Sequence, residues 1–297
     1  MTNGYEFSSC YGLFSECLSP HFIYLPLSYS TGVNADILSE YVFPLASPFL
    51  SAALGAIAAY LAFNSQDKLK IEKNKIDSIN KLILDAESAR SNLIAIKYNY
   101  IGTLESHPVQ RLLAIPSILI DVDKLSENMH ELSFLASSGK DSSVHWCNIL
   151  KIKAMFHNYN SLLTFWSKRD ELNEEMRIKL RDKIDGPMMR RLSEDEILET
   201  LGVAFLIAIV DINERVIALT DELIISFNDF LIGFPKEAER YISKRVGKRY
   251  GGILKYQYSV DKEMLDVLTK SPSVNFELMG ALMNEDPEIM AKRYKHA

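Results

Sequence analysis

Charge is distributed unevenly along this 297-residue chain, and the division falls beside its longest uncharged apolar stretch. No lysine or arginine occurs in the first 67 residues, and all 33 of them follow Gln66. The apolar stretch, Tyr41 to Phe63, contains no charged residue and ends shortly before the first lysine, Lys68. An excess of basic residues after a hydrophobic segment is typical of the cytoplasmic side of a membrane span. The pattern predicts one spanning helix, with the amino terminus outside and the carboxyl terminus in the cytoplasm.

The length of the apolar stretch fits such a helix. An α-helix rises about 1.5 Å per residue and needs about 20 residues to cross about 30 Å of hydrocarbon. Proline is favoured in a first helical turn, so Pro48 can start the helix, and we place the span within residues 41–66. A collar of lysines follows on the cytoplasmic side: Lys68, Lys70, Lys73 and Lys75. A signal peptide is a poor alternative because the chain begins acidic and the apolar run comes late; a buried core helix is the stronger one.

Small residues recur at every fourth position of the span, at Ser51, Gly55 and Ala59. Residues four apart lie on one face of a helix, and small side chains there let two helices approach closely in lipid. This stripe predicts self-association of the span, and therefore a homo-oligomer in the lipid bilayer. The alternative is that an alanine-rich helix shows the spacing by chance.

The segment before the span, residues 1–40, is acidic and is expected outside the cytoplasm. Cys10 and Cys17 can pair there in an oxidising compartment or remain free thiols, whereas Cys147 is expected to be a buried cytosolic thiol. The apolar run 18–29 is too short to cross a bilayer. Whether it lies at the interface, forms an outer cap or enters the membrane stays open.

The rest of the chain has helical periodicity, so the expected fold class is all-α: one transmembrane helix followed by a cytoplasmic helical bundle. We expect the bundle over residues 67–234, and a basic helix with short terminal helices over 235–297. The first helix should continue from the span to about Ile101. Further helices are predicted over Asp123 to Ser137, Val144 to Ile184, Ser193 to Ile232 and Pro235 to Tyr250. Ile253 to Val260 is the one fair strand candidate.

Two local signals mark the ends of the helix predicted from Ser193 to Ile232. Ser193 and Glu196 have the spacing of a capping box, which predicts a helix start. Gly233 and Pro235 are expected to close the same helix. Its inner stretch, Leu201 to Val210, is wholly apolar but too short to span a membrane, so it is expected to form the buried spine of the bundle.

Catalytic motifs are absent from the sequence. It has no glycine-rich nucleotide loop, no Gly-x-Ser-x-Gly elbow and no zinc-ligand spacing. Glu127 and His130 form one Glu-x-x-His on a predicted helix, but di-iron bundles need two such motifs and two more glutamates, so a solvated face is expected. His145 and His157 are too far apart on one helix to share a ligand directly. We expect a protein that is not an enzyme and has no cofactor, no metal and no small-molecule substrate.

A basic segment near the carboxyl terminus, residues 236–258, interleaves lysine and arginine with tyrosine. Its candidate contact residues are Arg240, Lys244, Arg245, Lys248 and Arg249. Such a surface can neutralise nucleic-acid phosphates and stack on bases, and it suits anionic lipid headgroups equally well. A solvated helix face with packing tyrosines is the third interpretation.

The layout of an acidic outer tail, the span Tyr41 to Phe63 with its lysine collar, and a helical body resembles that of the transmembrane effectors of bacterial retron-type anti-phage systems. The resemblance implies an inner-membrane protein held inactive by a reverse transcriptase and its DNA–RNA product. On release, the span would perturb the integrity of the inner membrane in abortive defence. The stripe would drive assembly, and the body would bind the inhibitor. The alternatives are a non-catalytic scaffold or signalling anchor that recruits a soluble partner, and a membrane-bound hydrolase or nuclease with unrecognised catalytic residues.

Overall fold

A computed structural model of the chain describes residues 43–136, 146–184, 192–256, 268 and 270–295. The chain divides into two units, one ending at Phe63 and the other beginning at Asn64. Every regular element in these ranges is helical and none is a strand. The all-helical prediction is therefore confirmed, while the cytoplasmic position of the body stays a prediction.

Helices make up most of the described residues. In chain order they are α1 (Phe43–Tyr98), α2 (Pro108–Ala114), α3 (Ser133–Ala136), α4 (Ile149–Ile184), α5 (Glu194–Leu201), α6 (Val203–Ala238), α7 (Lys244–Tyr250), α8 (Phe276–Met283) and α9 (Pro287–Lys295). Two 3₁₀ turns, His130–Leu132 and Glu239–Tyr241, precede α3 and follow α6. The predicted outer tail, Cys10, Cys17, the apolar run 18–29 and His145 lie outside the described residues.

Three long helices, α1, α4 and α6, build the core of the second unit. α1 buries one face, at the helical spacing that the sequence shows: Ile76, Ile79, Leu82, Ile83, Ala86, Ala89, Arg90, Leu93, Ile96 and Lys97. Arg90 bonds to Asn228 and Lys97 pairs with Asp221, so α1 and α6 run antiparallel. Aromatic rings fill the interface between α4 and α6, where Phe227 meets Phe156 and Tyr159.

A second cluster of buried residues contains no residue of α1. It is formed by Leu112, Met176, Leu180, Ile197, Leu201, Leu206, Ile209, Val210, Val274, Met279, Met290 and Tyr294. The apolar stretch Leu201 to Val210 contributes four of these, whereas Val203 in it is 53% exposed. The stretch is thus buried on one face only. The rest of α6 is also two-faced, since Asn213, Val216 and Ile217 are buried whereas Arg215 and Ile225 are exposed.

The predicted helix from Asp123 to Ser137 is wrong over its first half, because residues 115–129 run without regular structure beside α4. Polar side chains of α4 bind the backbone of this segment. Asn160 accepts from Leu125 N at 2.8 Å and donates to Leu125 O at 2.9 Å, and Arg169 donates to Ile115 O at 2.6 Å. These bonds replace the hydrogen bonds of a helix, so that only residues 130–136 are helical.

The predicted helix from Ser193 to Ile232 is two helices, divided at Gly202. The capping box at Ser193 and Glu196 is confirmed. Gly202 has φ of +77°, a conformation that glycine adopts without the steric cost that other residues meet. α5 ends and α6 begins there, because the backbone turns at a residue inside the periodic pattern.

The prediction that this helix ends at Gly233 and Pro235 is also wrong, since α6 continues to Ala238. Gly233 serves packing: a Cβ there would lie 2.5 Å from Cδ1 of Trp146. The helix tolerates Pro235, which is buried. The element predicted from Pro235 to Tyr250 is therefore three pieces: the end of α6, a 3₁₀ turn and α7.

The strand expected over Ile253 to Val260 is absent from its described part, residues 253–256, and its remainder lies outside the described residues. The short terminal helices are found as α8 and α9. α1 ends at Tyr98, close to the expected Ile101, and the turn after it includes Gly102 with φ of +76°.

Candidate functional site

The first described residues of α1 expose an unbroken apolar surface. Nine large apolar side chains there are between 56% and 77% exposed: Phe43, Leu45, Phe49, Leu50, Leu54, Ile57, Tyr60, Leu61 and Phe63. Within the described part of the chain, α1 is the one helix long and apolar enough to cross a membrane, and none of its most apolar 18-residue window is buried. Large exposed apolar surfaces mark contacts with lipid or with other proteins. The surface is therefore of the kind that lipid or another protein chain covers.

The small-residue stripe lies on this exposed segment. Ser51, Gly55 and Ala59 are all exposed, and nothing lies within 4 Å of a Cβ added at Gly55. A larger side chain at Gly55 therefore disturbs no contact among the residues that the structure describes. Substitution at this position is suited to testing contacts between chains.

The lysine collar begins within the next two turns of α1. Lys68, Lys70 and Lys73 are exposed, whereas Lys75 pairs with Glu72 and lies 5.7 Å from the ring centre of Phe134. Successive residues of an α-helix point about 100° apart, so Lys68 and Lys75 project to one side of α1 and Lys70 and Lys73 to the opposite side. The collar therefore places positive charge on two sides of the helix.

The basic segment is brought to the same part of α1. Ser243 N, at the start of α7, donates to Oε2 of Glu72 at 2.8 Å. Beyond α7, Leu254 N donates to Oδ1 of Asn80 at 2.9 Å, and Nδ2 of Asn80 donates to Gly252 O at 3.3 Å. The structure thus places the collar and α7 beside each other, although about 170 residues separate them in the chain.

The candidate cations of the basic segment are exposed: Arg240, Lys244, Arg245, Lys248 and Arg249. Val246 is the buried residue of α7 and holds the helix on the body. Hydrogen bonding from Lys75 and Ser243 N keeps the pKa of Glu72 below its usual value, although partial burial alone would raise it. Glu72 is therefore a carboxylate at neutral pH and can anchor Ser243.

The body contains two buried ion pairs that were not predicted from the sequence. On α2, Arg111 donates from Nε to both carboxylate oxygens of Glu214, at 2.9 and 3.0 Å, and each side chain is at most 3% exposed. Lys97 pairs with Asp221 between α1 and α6. Burial raises the pKa of Glu214 and of Asp221 and lowers that of Lys97, while the opposite charge of each partner opposes these shifts. The sequence signal that could have indicated these pairs is a charged residue at a helical position that faces the core.

The segment 270–274 closes over both ion pairs. Arg111 Nη1 donates to Pro272 O at 2.7 Å, and Ser271 N donates to Asp221 at 2.6 Å. A cavity of about 440 Å³ is lined by this segment together with Arg111, Glu214 and Asp221. The ion pairs thus connect α1, α2, α6 and this segment, which is a structural role.

Glu127 and His130 do not form a metal site. Glu127 accepts from Asn160 at 3.2 Å and lies 3.1 Å from Nδ1 of His157, while His130 contacts Asn128. The helix face expected at Glu127 is instead part of the irregular segment. Among the residues that the structure describes, no group of three His, Cys, Asp or Glu side chains could hold a metal ion.

Cys147 is buried beside the end of α6, as expected. Burial, helped by the negative charge of Glu237, raises the pKa of Cys147 to about 11. At pH 8 a thiol with this pKa is ionised about 100-fold less than an unfolded cysteine. In a Cys10→Ser/Cys17→Ser chain, Cys147 should therefore react with a thiol reagent at least about 100-fold more slowly in the folded than in the urea-unfolded protein. Equal rates would contradict the burial.

No protein-family model, curated protein or solved structure matches this chain.

Proposed function

We propose that this protein is a membrane-anchored bacterial effector that perturbs the integrity of the inner membrane through its spanning helix. The observation that carries the proposal is the fully exposed apolar segment of α1, residues 43–63, which fits a bilayer in length and composition. The lysines after it support an orientation with the helical body in the cytoplasm. No catalytic step is assigned to the body.

Assembly of the span is the proposed route to membrane damage. The exposed stripe at Ser51, Gly55 and Ala59 supports close contact between copies of the helix. The layout further suggests that a reverse transcriptase with its DNA–RNA product binds the body and keeps the effector silent until infection. That assignment rests on the resemblance of the layout alone.

The test of the effector is induced expression in bacteria, with membrane potential followed by a voltage-sensitive dye. The unmodified chain is expected to depolarise cells within one generation. Gly55→Leu should abolish depolarisation and reduce cross-linked oligomers at least about tenfold, because the larger side chain separates the helix backbones.

A matched pair of variants separates the stripe from the bulk of the span. Ala59→Leu changes the stripe. Ala53→Leu makes the same substitution on the side of the helix nearly opposite Gly55. Loss of depolarisation in Ala59→Leu but not in Ala53→Leu supports the proposal. Normal membrane potential at high expression of the unmodified chain, found entirely in the membrane, would favour a passive scaffold instead.

A further inference from the structure

We propose that α7 and the lysine collar of α1 form one basic surface that binds the anionic phospholipid headgroups of the membrane in which the chain is anchored. The inference rests on the proposed anchoring by residues 41–66. It assigns the basic segment to a lipid surface, which the sequence alone does not distinguish from nucleic acid.

The first step is the attachment of α7 to α1. The bond from Ser243 N to Glu72 holds the start of α7, and the two bonds of Asn80 to Gly252 and Leu254 hold the chain beyond its end. Because Glu72 precedes Asn80 on α1, the start of α7 is held at the earlier of the two positions, and the chain beyond its end at the later one. The segment 243–254 is therefore fixed along the part of α1 that leaves the membrane.

The second step is distance. Glu72 follows Gln66, the last residue of the proposed span, by six positions, which is about 9 Å along a helix. Electrostatic interactions in physiological salt extend over a screening length of about 8 Å. Lys244 and Arg245, directly after the attachment point, thus lie about one screening length from the bilayer surface, and their long side chains shorten that gap.

The third step is charge. Residues 243–256 contain five basic and no acidic side chains, and residues 64–80 add four lysines against three acidic side chains. Lys75 and Lys255 already pair with Glu72 and Glu239. Within the described residues, no carboxylate pairs with Lys244, Arg245 or Lys248. As far as the described residues extend, these cations are available to phosphate groups outside the chain.

Apolar side chains on the same surface favour lipid over nucleic acid. Ile71 is 50% exposed between the collar lysines, and Tyr250 and Leu254 are 46% and 41% exposed after the cations of α7. Aromatic and apolar groups beside basic ones suit the interfacial region of a bilayer. Aliphatic side chains contribute little to binding a nucleic-acid backbone, which is recognised by charge and by stacking.

The test uses the full chain in nanodiscs made either of phosphatidylcholine alone or of phosphatidylcholine with phosphatidylglycerol. Hydrogen exchange of the peptide covering residues 243–256 is measured by mass spectrometry. Exchange should be at least about fivefold slower with phosphatidylglycerol, because even one basic residue near an anionic surface contributes a factor of about five to binding. The protection should fade at high salt.

Two four-residue variants distinguish the basic surface from charge in general. Lys244→Gln/Arg245→Gln/Lys248→Gln/Arg249→Gln should lose the protection. The control, Lys168→Gln/Arg177→Gln/Lys179→Gln/Arg181→Gln, changes exposed residues on the half of α4 that leads to the second cluster, and should keep it. Unchanged exchange elsewhere in the body shows that both variants are folded.

Three results would overturn the inference: no difference between the two lipid compositions, protection that persists in the α7 variant, or protection by a single-stranded oligonucleotide but not by phosphatidylglycerol. The last would assign the surface to nucleic acid. Failure of the anchoring proposal is scored separately, because a chain without a span does not co-elute with nanodiscs of phosphatidylcholine alone, which offer the basic surface no anionic headgroups.

Discussion

Replacing Glu214 by leucine is expected to lower the free energy of unfolding of the body by about 3–5 kcal/mol, the cost typical of breaking a buried ion pair by removing one partner. Arg111 would remain charged, because its guanidinium cannot lose its proton at neutral pH. It would also remain in place, because its Nη1 donates to Glu105 O and Pro272 O. An unpaired charge would thus stay in a position that is 2% exposed.

The measurement is urea unfolding of the full chain in a mild detergent, followed by tryptophan emission. Both tryptophans, Trp146 and Trp166, are buried in the body, so the signal reports on the body alone. Glu171→Leu is the matched control. Its carboxylate pairs with Lys168 at 2.8 Å but is 66% exposed, so its loss should change stability by less than about 0.5 kcal/mol.

A double variant separates the charge from the packing. In Arg111→Met/Glu214→Leu no unpaired charge remains, and such replacements of buried pairs are often neutral. We expect the double variant to recover more than half of the stability lost in Glu214→Leu, with the remainder reflecting the two carbonyl bonds of Arg111. A single variant as stable as Glu171→Leu would show that the pair contributes little.

The elements predicted correctly from the sequence are those that neighbouring residues determine. The periodic faces of α1 and α4 and the capping box at Ser193 each depend on residues within a few helical turns of one another. The errors arise where distant residues decide the conformation. Asn160 and Arg169 bind the backbone of residues 115–129 across the fold, and Gly233 accommodates Trp146. Neither effect leaves a signal in the neighbouring sequence.

The candidate site shows the same division. The apolar segment, the stripe and the collar are each continuous in sequence and could be predicted. The attachment of α7 to Glu72 and Asn80 could not, because it depends on backbone groups of residues 243–254, which carry no sequence signal for their partner. The pairing of Arg111 with Glu214 likewise joins residues 103 positions apart. Tertiary structure supplies both.

Two arginines at the centre of the span should abolish membrane integration. Leu54 and Ile57 lie near the middle of residues 48–66 and are 66% and 56% exposed. Exchanging a leucine or isoleucine for arginine at the centre of a spanning helix costs about 3 kcal/mol, so Leu54→Arg/Ile57→Arg should cost about 6 kcal/mol. A single arginine can be accommodated because its long side chain reaches the interface and the bilayer thins locally. We use two arginines so that the free-energy cost exceeds what this accommodation can offset.

The measurement is the distribution of the full chain between the supernatant and the carbonate-washed membrane pellet after ultracentrifugation. The unmodified chain should be in the pellet, and the double variant should move to the supernatant or be degraded. Leu119→Arg/Leu150→Arg is the control, since these apolar residues of the body are 94% and 76% exposed and gain a charge that water can solvate. If the span were instead a helix covered by another part of the protein, the arginines would unfold the chain without changing its fractionation, because the unmodified chain would already be in the supernatant. Integration that survives both arginines would exclude residues 48–66 as the segment that crosses the bilayer.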